Sequence, residues 1–127
     1  MEQIETARLI LRNFAETDAD DLYEYLSDPA VVAFEPYQPM TREETIENLK
    51  WRISTDEMIA VELKQTHHVI GNIYLGKREC ENTEIGYVFN KSIWGQGYAT
   101  EACMKLMQKC FEEGTHRIYA MCDPANP

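Results

Sequence analysis

Arg8 to Phe14 alternates apolar and polar residues, the period of a strand with one buried face. Thr17-Asp18-Ala19-Asp20 resembles a capping box, and Ala19, Leu22, Tyr23 and Leu26 behind it form an apolar helical stripe. Asp28-Pro29 ends that helix. A loop rich in aromatics and proline follows, with Phe34, Pro36, Tyr37 and Pro39. Thr41-Arg42-Glu43-Glu44 is a second capping box, opening a helix predicted to turn Ile46, Leu49 and Ile53 inward. The period then drops to two. Met58 to Lys64 sets Ile59, Val61 and Leu63 on one face, Thr66-His67-His68 turns the chain, and Val69 to Leu75 returns as a hairpin partner. After a polar turn from Lys77 to Asn82, Thr83 to Asn90 carries Ile85, Tyr87 and Phe89 on one side. The helical period is clearest in Ala99, Ala102, Cys103, Leu106, Met107, Cys110 and Phe111, and Gly114 stops that helix. Arg117 to Cys122 reads as a last strand.

The order β-α-α-β-β-β-α-β predicts a mixed, mostly antiparallel α/β sheet with helices on both faces. The final strand–helix–strand step should be a right-handed parallel crossover. At 127 residues the chain is one domain, 1–127. A net charge of −10 argues against nucleic acid as a partner, because such a partner needs a basic face. No apolar run approaches the roughly 20 residues of a membrane span. Met1-Glu2-Gln3-Ile4-Glu5 lacks the basic and apolar regions of a signal peptide. Cys80, Cys103, Cys110 and Cys122 show no C-x-x-C spacing and read as reduced, small apolar residues, which predicts a cytoplasmic protein. No metal is expected, since only the adjacent His67-His68 approaches ligand spacing.

The richest chemistry lies in Trp94-Gly95-Gln96-Gly97-Tyr98-Ala99-Thr100-Glu101, between a predicted strand and a predicted helix. Two glycines let the backbone turn tightly and expose N–H groups, and the helix start adds unpaired N–H groups and a positive dipole end. The combination is a seat for a phosphate or pyrophosphate. A dinucleotide fingerprint fits poorly: its third glycine would be Thr100, and the acidic residue closing the next strand, Asp123, falls 123 − 97 = 26 positions past Gly97. A P-loop is excluded by the lack of Gly-Lys-Ser/Thr.

Together with Glu84-Ile85-Gly86-Tyr87-Val88-Phe89-Asn90, this run resembles the central motif of the GCN5-related N-acetyltransferases, Q/R-x-x-G-x-G/A. The likeness covers the whole chain. Trp94 stands where the wider family has Gln or Arg, and Trp-Gly-x-Gly is usual in one sub-branch. Glu5-Thr6-Ala7-Arg8-Leu9-Ile10-Leu11-Arg12 and Cys122-Asp123-Pro124-Ala125-Asn126 point to that same branch, which holds the ribosomal-protein N-terminal (alanine and serine) acetyltransferases. Family members continue past the Asn126 position with another helix and two more strands. The resemblance therefore implies that the C-terminal part of the fold is absent here, with the group that protonates the leaving thiolate and one wall of the cleft. A last strand without those neighbours would be an open edge, expected to pair with a second copy or to fail to order.

The resemblance implies acetyl transfer from acetyl-CoA to a primary amine, a protein N-terminus or a small amine, by direct attack in a ternary complex. The alternative is a coenzyme A-binding module or fragment without turnover. The pyrophosphate would rest on backbone N–H groups of Gly95, Gln96, Gly97, Tyr98, Ala99 and Thr100. The pantetheine arm would pair with Tyr87, Val88 and Phe89, beside a bulge expected near Gly86 to Val88. The N–H at Phe89, or next to it, would face the thioester oxygen. Glu84 is the candidate general base, and Asn126 matches the family asparagine that reaches the pantetheine or acetyl region. Phe34, Glu35 and Tyr37 lie in the loop that borders the acceptor site in that family. His67-His68 and His116 read as solvent-facing, and Cys122 as a buried strand thiol rather than a nucleophile.

Overall fold

The computed structural model describes residues 3–33, 35, 38–77, 82–112 and 117–120. Its centre is a six-stranded sheet whose spatial order follows chain order. The strands are β1 (Ile4–Glu5), β2 (Leu9–Asn13), β3 (Met58–Leu63), β4 (Val69–Lys77), β5 (Asn82–Phe89) and β6 (Arg117–Ala120). The first five pair antiparallel, and β6 joins β5 in parallel, as the crossover rule requires. The helices are α1 (Ala19–Leu26), α2 (Pro29–Val32), α3 (Arg42–Ser54) and α4 (Tyr98–Glu112). The two-residue β1 and the short α2 carry too little periodicity to be read from sequence.

Alternation along the strands builds two cores, one on each sheet face. Leu9, Leu11, Ile59, Val61, Ile73, Ile85 and Phe89 pack on one side with Ala102 and Leu106 of α4. Met58, Ala60 and Val88 pack on the other with Leu22, Tyr25 and Leu26 of α1, Val31 and Val32 of α2, and Leu49 of α3. β3 is thus apolar on both faces from Met58 to Val61. Tyr25 brings a hydroxyl into the second core, where it donates to Asn72 Oδ1 at 2.7 Å.

Several local expectations shift by a residue or a turn. Asp18, not Thr17, governs the approach to α1. It is 3% exposed, accepts the Ala15 N–H at 2.8 Å and takes two hydrogen bonds from Arg12 at 2.9 Å. Asp28 does more than end α1: its Oδ1 accepts the Ala30 N–H at 2.9 Å and so caps α2, with Pro29 at the first helical position. The Thr41–Glu44 capping box forms, each side chain taking the other's backbone N–H at 3.0–3.1 Å. The helix it opens, however, turns Thr45, Leu49 and Arg52 inward and leaves Ile46 and Ile53 exposed. Docking against α1 sets that rotation, with Thr45 Oγ1 bonded back to Thr41 O and Arg52 lying over the Phe14 ring. In α4, Ala102, Leu106 and Cys110 are buried, while Phe111 is exposed at the far end.

The bulge expected near Gly86–Val88 concerns the splay of β5 from the last strand, and the described pairing with β6 ends at Ile85; opposite β4 the ladder is regular. Register runs unbroken from Thr83 opposite Lys77 to Phe89 opposite Gly71. Gly71 supplies the reason, since a Cβ there would stand 2.5 Å from the Phe89 ring and 2.6 Å from the Val88 carbonyl. Without one, the strands close over the ring regularly. A shift in register lies between Val61 and Glu62, in β3 against β4.

Candidate coenzyme A site

β5 reaches the site at Phe89 and hands over to a tight turn. Asn90 ends the strand with three bonds. Its N–H donates to Ile70 O at 2.8 Å, its side chain accepts from Ser92 N at 3.0 Å, and its Nδ2 donates to Glu24 at 2.7 Å. Because antiparallel pairs alternate between bonded and non-bonded positions, an Asn90 N–H aimed at β4 means that the amide groups of Phe89 and Tyr87 point away from it. Phe89 O fits that geometry, accepting the Trp94 indole N–H at 3.0 Å. Parallel pairing with β6 covers Asn82 to Ile85, so on the side away from β4 Gly86 to Phe89 face no strand among the described residues. The outer half of β5 thus offers extended backbone on a side where, among the described residues, no strand pairs with it.

Trp94 anchors the turn by packing against both cores. Beyond it, Gly95 and Gly97 adopt φ of 80° and 81°, left-handed values that strain any residue with a Cβ. Gly95, Gln96, Gly97 and Thr100 are exposed; Tyr98 and Ala99 are half-buried. The first helical bond of α4 is donated by Glu101 N to Gly97 O at 3.0 Å. The N–H groups of Tyr98, Ala99 and Thr100 precede it and point out of the helix start. The result is an exposed run of backbone donors at the positive end of a helix, suited to an anion and independent of pH.

Tyr87 and Phe89 turn their rings toward α4 and meet edge to face, 5.9 Å between centroids. Val88 is buried on the opposite face. Glu35 is half-buried beyond α2, its N–H donating to Val32 O at 3.0 Å, and burial raises its carboxyl pKa. Phe34, Tyr37, His116, Cys122 and Asn126 lie outside the described residues, as does the side chain of Glu84, whose backbone pairs with Gly76 and Tyr119. His67 and His68 are exposed, paired with Glu62 and Asp21 at 3.0 Å.

Sequence reading gave no role to three residues at this site. Glu101 of α4 takes hydrogen bonds from Thr6 Oγ1, from the Arg8 backbone N–H at 3.0 Å and from Arg8 Nε at 2.7 Å. Burial alone would raise the Glu101 pKa, but these bonds from Thr6 and Arg8 prevail and hold it below the ordinary carboxyl value. The Arg8 guanidinium also lies over the Tyr98 ring, 4.2 Å from its centre, and donates from Nη1 to Gln96 O at 3.1 Å.

This strand–glycine turn–helix unit lies within a match to the acetyltransferase (GNAT) domain that runs over residues 8–127. The chain belongs to the GNAT acetyltransferase family. It is 36% identical over 126 residues to the uncharacterized N-acetyltransferase YnaD of Bacillus subtilis (strain 168), covering 97% of this chain and 74% of that protein. It is 33% identical over 135 residues to the uncharacterized N-acetyltransferase p20 of Bacillus licheniformis, covering 99% and 76%. Among solved structures, the GNAT-family acetyltransferase from Bacillus anthracis superposes with a TM-score of 0.91 at 32% identity, over 98% of this chain and 76% of that one. The GNAT chain thus spans about three quarters of the length of these relatives. The family's chemistry is acetyl transfer, generally from acetyl-CoA.

Proposed function

We propose that this GNAT domain moves an acetyl group from acetyl-CoA to a primary amine, a protein N-terminus or a small amine, by direct attack in a ternary complex. The observation that carries the reading is the exposed Gly95–Gly97 turn at the start of α4, beside the half of β5 that pairs with no β6 residue among those described. Backbone N–H groups from Gly95 to Thr100 would hold the pyrophosphate, and the outward amides of Tyr87 and Phe89 would pair with the amide-bearing pantetheine arm. The Phe89 N–H would meet the charge that develops on the thioester oxygen. The amine nitrogen forms a bond to the acetyl carbon, the carbon–sulfur bond breaks, and the sulfur leaves as a thiolate. Glu84 would take the amine proton, directly or through water. Asn126 would reach the acetyl region, and Phe34, Glu35 and Tyr37 would border the acceptor. A half-buried carboxylate at Glu35 suits an acceptor that arrives as a cation. β6 stands at one edge of the sheet order, and we propose it as the pairing surface for a second copy.

Calorimetry with coenzyme A, NAD and ATP tests the seat. Coenzyme A should bind with the tightest Kd of the three, and equal or stronger binding of NAD would overturn the assignment. Thiol release from acetyl-CoA across a panel of amines tests turnover. Binding without release from any amine would favour a coenzyme A-binding module instead. Light scattering that finds only monomers would remove the β6 dimer.

A further inference from the structure

We infer that Arg8 is a positioning residue for the cofactor seat, tying the glycine turn and the start of α4 to the strand that precedes them by some ninety positions in the chain. The inference rests on reading that turn as the pyrophosphate seat. A turn built on two glycines is conformationally free, and ordering it on binding would subtract from affinity. Arg8 fixes it at three successive points: the Gln96 carbonyl, the Tyr98 ring and the Glu101 carboxylate. The first contact sets a direction. In a trans peptide the carbonyl and the following N–H point opposite ways, so holding Gln96 O against Arg8 turns the Gly97 N–H outward, away from the guanidinium.

The second consequence is electrostatic. Glu101 favours the positive end of α4, yet it places a negative charge one helical turn from a seat for anions. Arg8 Nε neutralises it at 2.7 Å, and Thr6 Oγ1, itself fixed by accepting the Leu9 N–H at 3.0 Å, holds the carboxylate in place. The carboxylate orients the arginine, and the arginine cancels the carboxylate's field at the turn. Both side chains keep partial solvent contact, 44% for Arg8 and 19% for Glu101, so their pairing contributes little to global stability.

Arg8→Met, Arg8→Lys, Glu101→Gln and the double variant Arg8→Met/Glu101→Gln test this. NMR titration reaches millimolar affinities and can follow both coenzyme A and pantetheine, which lacks the pyrophosphate. Arg8→Met should weaken coenzyme A about tenfold, the scale of one charge-assisted hydrogen bond, and change pantetheine by less than about twofold. Arg8→Lys should fall between wild type and Arg8→Met. The double variant should bind coenzyme A better than Arg8→Met alone, because the unpaired carboxylate is gone. Equal losses for coenzyme A and pantetheine would reduce Arg8 to a general stabiliser and overturn the inference, as would unchanged coenzyme A binding by Arg8→Met. Failure of the wild-type chain to bind coenzyme A is a distinct result that overturns the seat itself, and the positioning role with it.

Discussion

Arg8 and Arg12 stand four residues apart, one at the entry to β2 and one within it, and both clasp carboxylates, yet they serve different ends. Arg12 reaches Asp18 with two nitrogens and Glu62 with a third, all at 2.9 Å. Asp18 is almost completely enclosed, and its hydrogen bond is the foremost cause raising the Arg12 pKa above its ordinary value, against the opposing effect of burial. Arg8 lies half in solvent, and two of its contacts are to a turn and an aromatic ring rather than to carboxylates. Burial separates the two roles. An enclosed ion pair cannot lose a partner without stranding a charge, whereas an open one can be lost with small cost to the fold but direct cost to whatever it orients.

The largest effect should come from the enclosed centre. Arg12→Met leaves Asp18 buried with only the Ala15 N–H, and urea unfolding should show a loss of about 3 kcal/mol, against less than about 1 kcal/mol for Arg8→Met. Similar losses for both would erase the distinction. Next, Gly97→Ala forces a Cβ onto a φ of 81° and sets it 3.5 Å from Arg8 Nη2. It should cost about 1.5 kcal/mol of stability and more than about tenfold in coenzyme A affinity. Gly95→Ala carries a φ of 80° into open space, and the Gly97 Cβ would meet Arg8 only at ordinary contact distance, so the two stability losses should be similar. Thr41→Ala removes the cap of α3, which bonds neither arginine, and should lower stability by about 1 kcal/mol while leaving coenzyme A binding unchanged. A change in that binding would mean that global stability, not local orientation, sets affinity.

The smallest effect is in the pH dependence. Glu62 and Glu101 both hold pKa values below 4.5, because the hydrogen bonds they accept from His67 and Arg12, and from Thr6 and Arg8, outweigh burial. Their contribution is therefore fully present above pH 4.5 and is lost as pH falls through the folded values. Thermal midpoints should decline below that pH, less steeply in Glu62→Gln and Glu101→Gln than in wild type. An unchanged slope in either variant would detach that carboxylate from its arginine.

What could be read from the residues was what local geometry decides. Gly95 and Gly97 announce a left-handed turn by lacking a Cβ, and Thr41 and Glu44 announce a helix start by reaching each other across one turn. Strand periodicity placed Ile85, Tyr87 and Phe89 together correctly. The failures are all tertiary. Ile46 and Ile53 match Leu49 in character, but docking on α1 chose a neighbouring face of α3. Asp18 looked like part of a cap because nothing local says that Arg12 will claim it. Arg8 and Glu101 both stood in quoted motifs, yet only the fold brings two residues 93 apart into contact.

The sheet's strand order bears on how the molecule is made. From β1 to β5 each strand lies beside its predecessor in the chain, so the sheet can grow one strand at a time as the polypeptide leaves the ribosome. The contact between residues 8 and 101 breaks that rule. It must wait until residue 101 has been synthesised, and it is the kind of long loop closure that slows folding most. The order that this contact imposes on the turn is thereby deferred until the strands β1 to β5 that hold it have been made.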